Sequence, residues 1–175
     1  MVNVNKHGFT LIELMISLAI FGLLLSLAAP SYSLWMASLR VNNISQNINM
    51  AITQARSEAM RTNSLVEISL NKNTSWQIKV LETNSIINKK IKEESGATTE
   101  ISFSPLNTTK ITFNGLGVVT NNIDSSSTVK EIIVYSTLQN EALKSKKIII
   151  HKGSSFICDP SQESSTNNLY CKEGV

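Results

Sequence analysis

The sequence predicts an α+β fold, a long N-terminal α-helix packed on a C-terminal antiparallel β-sheet domain. Three observations lead there. Residues 14–39 contain no Asp, Glu, Lys or Arg. Apolar residues then recur at steps of three and four as far as residue 59, the period of one helix face. Beyond residue 63 they fall into short β-branched or aromatic runs separated by Asn- and Gly-containing turns. A chain of 175 residues has room for one domain of ordinary size. Its formal charge of +3 is too mild to argue by itself for nucleic acid, and its mean hydropathy of +0.01 averages two unlike parts. About a third of the residues are Ser, Thr or Asn. That composition excludes an ordinary cytosolic enzyme with evenly spread apolar residues. It fits a short membrane segment joined to one polar, extracytoplasmic domain.

The first element is the apolar run over residues 9–30, interrupted only by the charge of Glu13. It has about the length a helix needs to cross a hydrocarbon core. Lys6 ahead of it, with no further Lys or Arg until Arg40, places the N-terminus in the cytoplasm. A secretory signal cut near Ala28-Ala29 is the plainer alternative. Against it stand the early start of the run and Glu13 within it, where an unpaired carboxylate costs several kcal/mol. A charge kept at that cost points to function.

The segment Gly8-Phe9-Thr10-Leu11-Ile12-Glu13 resembles the prepilin processing motif of type IV pilins and type II secretion pseudopilins. The resemblance implies a leader over residues 1–8, cleavage after Gly8 by a prepilin peptidase, and N-methylation of Phe9. It makes Glu13 the assembly residue, pairing with the terminal amine of a neighbouring subunit. Gly22 and Pro30 fall where pilins loosen or kink this helix, and both residue types weaken a helix interior. Residues 9–30 are then the membrane and filament-core half of the helix. Residues 31–62 form its amphipathic half, and residues 63–175 a periplasmic β-rich domain.

In the amphipathic half, Leu34, Ala37, Val41, Ile44, Ile48, Ala51, Ala55 and Ala59 form one apolar stripe, with Arg40, Asn43, Asn47, Gln54 and Arg61 off it. The stripe is expected to pack on the domain's own sheet rather than on a separate coiled coil. From residue 9 to 62 such a helix extends about 80 Å. Strands are predicted at 65–70, 76–81, 101–103, 111–113, 118–119, 129–138 and 146–151, in a single antiparallel sheet. Residues 83–99 and 121–128 read as loops. Within this pattern, Ala55-Arg56-Ser57-Glu58-Ala59 and Ile111-Thr112-Phe113-Asn114-Gly115 resemble landmarks of the GspH/FimT group of minor pilins and pseudopilins. Ile148-Ile149-Ile150 leading to Gly153 resembles that group's closing strand pair.

Cys158 and Cys171 are the only cysteines. In a periplasmic domain they are expected as a disulfide, worth about 3 kcal/mol by loop-closure entropy. The rival reading, two thiols or half a metal site, is poorly supplied, since His7 belongs to the leader and only His151 is left. No metal and no cofactor is implied. The chain has no Gly-rich phosphate loop and no Cys–His pair close in sequence, and an enzyme is not expected. Some members of the subgroup act as DNA receptors and resemble one another in a Gly-Arg-x-Arg motif. Here the matching stretch is Gly153-Ser154-Ser155-Phe156, with both arginine positions uncharged. Lys144, Lys146, Lys147 and Lys152 offer a weak DNA patch. The reading preferred for these lysines is protection of an exposed edge strand.

The function implied is that of a minor pilin in a type IV pilus, contributing to assembly, initiation or the tip complex. The alternative is an H-type pseudopilin of a type II secretion system. A DNA-binding minor pilin for natural transformation is the weaker alternative. The implied partners are other minor and major pilins or pseudopilins, prepilin peptidase and the inner-membrane assembly platform. DNA is not favoured among them. The implied location is a single pass through the bacterial inner membrane, with a periplasmic domain, before incorporation into a pilus fibre or pseudopilus.

Overall fold

The computed structural model describes residues 9–71, 75–81, 85–90, 99–138, 145–162 and 170–171, except the side chains of residues 27–31, 75, 85 and 88–90. The order of elements is helix α1 (Leu11–Thr62), then strands β1 (Val66–Leu70), β2 (Ser75–Val80), β3 (Ser85–Lys90), β4 (Thr99–Ser104), β5 (Lys110–Phe113), β6 (Val119–Thr120), β7 (Glu131–Ser136), β8 (Lys146–His151) and β9 (Ser154–Cys158). The chain divides into two compact units, Met1–Met36 and Ala37–Val175.

In the first unit the described side chains of residues 9–26 are all exposed. The helix is assigned without interruption through Gly22 and Pro30, so neither position breaks it. The side chain of Pro30 lies outside the described residues. Among the described residues no helix is long and apolar enough to cross a membrane. The predicted span over residues 9–30 includes side chains outside that description.

In the second unit the predicted stripe is the buried face of α1. Ala37, Val41, Ile48, Ala51, Ala55 and Ala59 are at most 3% exposed, and Ile52 and Ser45 are buried beside them. Val41 to Ala59, including the alanines at 51, 55 and 59, share one core with strand residues. The helix ends in a Schellman motif. Asn63 takes the left-handed conformation with φ 50°, and the Ser64 N–H donates to the Ala59 carbonyl at 3.2 Å. Asn fits because its short polar side chain tolerates this region better than most.

The strands form two antiparallel sheets rather than the single one expected. One has the order β3-β2-β1-β5-β6, the other β4-β7-β8-β9. Each is held in register by a row of apolar partners. In the first sheet Ile87 lies opposite Ile78, Ile78 opposite Ile68, and Ile68 opposite Ile111. In the second, Phe103, Ile132, Ile148 and Ile157 are successive neighbours. Such cross-strand pairs fix register, because a slip of one residue would turn each row outward. Val129 and Lys130, predicted as the start of a strand, instead link the sheets. The Val129 N–H donates to the Lys110 carbonyl at 3.1 Å, and the Lys130 N–H to the Ser104 carbonyl at 2.8 Å.

One further expectation changes. The predicted loop at 83–99 contains β3, an edge strand. Its sequence, Ser-Ile-Ile-Asn-Lys-Lys, has two adjacent isoleucines and no period-two alternation to mark it as a strand. The loop at 121–128 has no strand but is firmly built around Asn122, only 3% exposed. Its side-chain oxygen accepts from Thr112 Oγ1 at 2.9 Å, and its amide donates to the Ser126 and Ser127 carbonyls at 3.2 and 3.1 Å. Beside the sheet junction sits Gly153, with φ 139°. A Cβ there would lie 2.2 Å from the Gly117 carbonyl oxygen, so only glycine fits.

Candidate functional site

Helix α1 begins with two side chains that cap one another. The Thr10 N–H and O–H donate to Glu13 Oε2 at 3.3 and 3.1 Å, and the Glu13 N–H donates to Thr10 Oγ1 at 3.3 Å. This reciprocal arrangement is a capping box, and it also sets a carboxylate at the positive end of the helix dipole. The Glu13 carboxylate is therefore hydrogen-bonded within its own chain, but among the described residues it has no ion pair. The sequence carried the signal, a Thr followed three residues later by Glu ahead of an apolar run. Gly8, on the far side of the implied cleavage point, lies outside the described residues. Phe9 is described and is 82% exposed.

Beyond the cap, the helix presents an apolar surface with no cover from its own chain. Leu11, Ile12, Leu14, Met15, Ile16, Leu18, Ile20, Phe21 and Leu23 to Leu25 are each more than half exposed. Around Gly22 there is open space. A continuous apolar surface of this size marks contact with a membrane or with other proteins. Hydroxyls along it are satisfied locally, as where Ser17 Oγ donates to the Glu13 carbonyl at 2.7 Å. The surface therefore exposes few unmet polar groups.

The other residues singled out lie in the second unit. Cys158 and Cys171 form a disulfide with Cα atoms 5.1 Å apart. Asp159, next to it, is buried, and burial by itself would raise its carboxyl. Hydrogen bonds from the Ser161 hydroxyl and N–H, with the charge of Lys146, outweigh that and hold it below the usual value. Lys146 Nζ stands 3.3 Å from Asp159 Oδ2. A disulfide and a buried ion pair thus fasten the start of the tail to β8 and β9.

Ion pairs also take up two of the four lysines of the candidate patch. Lys146 is taken by Asp159, and Lys147 Nζ lies 2.9 Å from Glu131 Oε2. Lys152 is exposed, and Lys144 lies outside the described residues. Nor does β8 lie at an edge, since it is hydrogen-bonded between β7 and β9. The lysines of β8 therefore do not guard an edge strand. Sequence alone could not pair Lys146 with Asp159, because β8 and β9 bring them together only through the hairpin. Among the described residues no group of three or more His, Cys, Asp or Glu could hold a metal ion.

Comparison with known proteins gives the family. Residues 3–29 match the model of the prokaryotic N-terminal methylation motif. Residues 45–153 match the model described as type II transport protein GspH. Over 78 residues the chain is 33% identical to fimbrial proteins of Pseudomonas aeruginosa, a stretch covering 45% of this chain and 51% of the relative. The chain thus spans about half the length of the curated relatives it matches. Two crystal forms of the Pseudomonas aeruginosa type IV minor pilin FimU superpose with TM-scores of 0.46 and 0.45 at 16% and 17% identity. They cover 70% and 69% of this chain, and 94% and 98% of theirs.

Proposed function

We infer that this chain, which belongs to the type II transport protein GspH family, is a minor pilin, a low-copy structural subunit of a type IV pilus acting in initiation or at the tip. The observation that carries this reading is the exposed apolar start of α1, headed by Glu13 and lying within a match to the N-terminal methylation motif. In this reading prepilin peptidase cuts after Gly8 and Phe9 is methylated. Residues 9–30 hold the subunit in the inner membrane, with the β-rich domain in the periplasm. The assembly platform then lifts it into a filament beside major and other minor pilins.

Assembly follows from electrostatics in an apolar setting. Glu13 starts in its capping box with Thr10, which lowers the cost of carrying a carboxylate among apolar side chains. A neighbour's terminal amine at Phe9 offers a full opposite charge. In a low-dielectric filament core that attraction is strong, whereas either charge alone is costly there. Only one axial register joins the two. The subunit's contribution is structural rather than catalytic, and its domain presents a surface to the next subunits.

The family description also supports a second reading, an H-type pseudopilin of a type II secretion system. DNA uptake is weaker, because Lys146 and Lys147 are already held by carboxylates. Deletion of the gene separates the first two. The pilus reading expects fewer surface pili with secretion unchanged, and the tagged chain in sheared pili at far lower abundance than the main subunit. Normal piliation with a secretion defect would reverse the assignment to the pseudopilin.

A further inference from the structure

The apolar part of α1 ends in two aromatic rings that its own chain leaves exposed. Tyr32 and Trp35 are 61% and 58% exposed, and both belong to the first unit. A spacing of three residues sets them on one side of the helix. Their ring centroids lie 6.0 Å apart, with the planes tilted by 48°. Each ring has an apolar body and a polar tip, and neither tip has a hydrogen-bond partner among the described residues.

The position of the pair along the helix fits a membrane boundary. The helix runs without interruption from Leu11 to Thr62. At 1.5 Å per residue, Tyr32 stands about 28 Å and Trp35 about 33 Å along it from Glu13. The hydrocarbon core of a bilayer is about 30 Å thick. A helix with its capped carboxylate at one face of that core therefore brings both rings to the other face. No Asp, Glu, Lys or Arg occurs between Glu13 and Arg40. At that level the sequence offers aromatic rings and no charge.

We propose that Tyr32 and Trp35 are an interfacial anchor, whose rings bind the phospholipid headgroup layer on the periplasmic side and fix the depth of α1 until the subunit leaves the membrane. The anchor presupposes that residues 9–30 hold the chain in the membrane. The headgroup layer meets an apolar ring with acyl chain and a polar tip with water and phosphate oxygens. Rings held there limit how far a helix can slide or tilt. A neighbouring copy's apolar run would cover the rings but leave both tips unmet.

The test uses the full chain in phosphatidylcholine vesicles whose lipids carry a nitroxide quencher either at headgroup depth or near the acyl end. The chain has two tryptophans, and Trp76 is buried, so emission lost with Trp35→Tyr belongs to Trp35. That emission should be quenched roughly twofold more by the shallow label than by the deep one. Leu23 stands about 15 Å from Glu13, near the midplane, and a Leu23→Trp reporter combined with Trp35→Tyr should show the reverse order. Combined instead with Tyr32→Ala and Trp35→Ala, that reporter should slide off the midplane and lose roughly half of its deep quenching. An unchanged melting transition is the folding control. Stronger deep quenching of Trp35 would overturn the anchor. No lipid quenching of Trp35 while the Leu23→Trp reporter is deep would also overturn it and leave the rings to a neighbouring copy. So would a reporter indifferent to the two alanines. A Leu23→Trp reporter that neither label reaches would overturn the membrane reading itself, and the anchor with it.

Discussion

At the scale of single residues, Asp159 shows how the domain's acid sensitivity arises. Burial opposes its charge, but Ser161 and Lys146 favour it by more, so its folded pKa lies below the ordinary 3.8. A depressed carboxyl adds stability that is fully present above its unfolded pKa and is lost as pH falls through the folded value. Asp124 adds to the same limb. The ammonium of Lys110, followed by Ser126, holds its carboxyl far below the usual range. Thermal melts should therefore show stability falling below about pH 4. Asp159→Asn should lower stability at neutral pH by about 2 kcal/mol and flatten part of that acid limb. An unchanged acid limb in the variant would remove Asp159 from the account. None of this is legible in the sequence, where Lys146 opens a predicted strand and Asp159 lies in the tail 13 residues on. Glu13 stands out in the sequence as a charge in an apolar run, whereas its partner Thr10 is marked only by the three-residue spacing of a capping box.

At the scale of elements, legibility followed burial. The apolar stripe of α1 is readable because one side of the helix is buried from Ala37 to Ala59, which forces the three-and-four spacing. Ile52 and Ser45 are buried although they lie off that spacing, since a buried stripe about 100° wide takes in flanking positions. The strands β1, β5 and β8 announced themselves through Ile and Val runs buried on the core. By contrast β3 is an edge strand of Ser, Asn and Lys around two isoleucines, and it was hidden within a predicted loop. The division into two sheets was not readable, because periodicity reports which face is buried and not which strand lies alongside. The contact of helix with sheets gives a sharp prediction. Ala59 is fully buried, and Ala59→Leu would force extra carbons into a filled space. The variant should lose about 1–3 kcal/mol in a denaturant titration. Wild-type stability would mean that α1 does not pack as closely on the sheets as described.

At the scale of the whole molecule, two kinds of surface are set on one chain. The first unit exposes apolar side chains behind a capped carboxylate, and the second encloses its own core. The charge of +3 and the neutral mean hydropathy conceal this division, because each averages across it. In the proposed function it is the negative charge at Glu13 within the apolar run that counts. The account's central claim is that this residue admits the subunit to a filament. The most direct test is the amount of mature chain in sheared pili from cells carrying Glu13→Val, beside the amount left in their membranes. The account predicts cleavage after Gly8 as in the wild type and no variant chain in the sheared fraction. Incorporation of Glu13→Val at the wild-type level would contradict it.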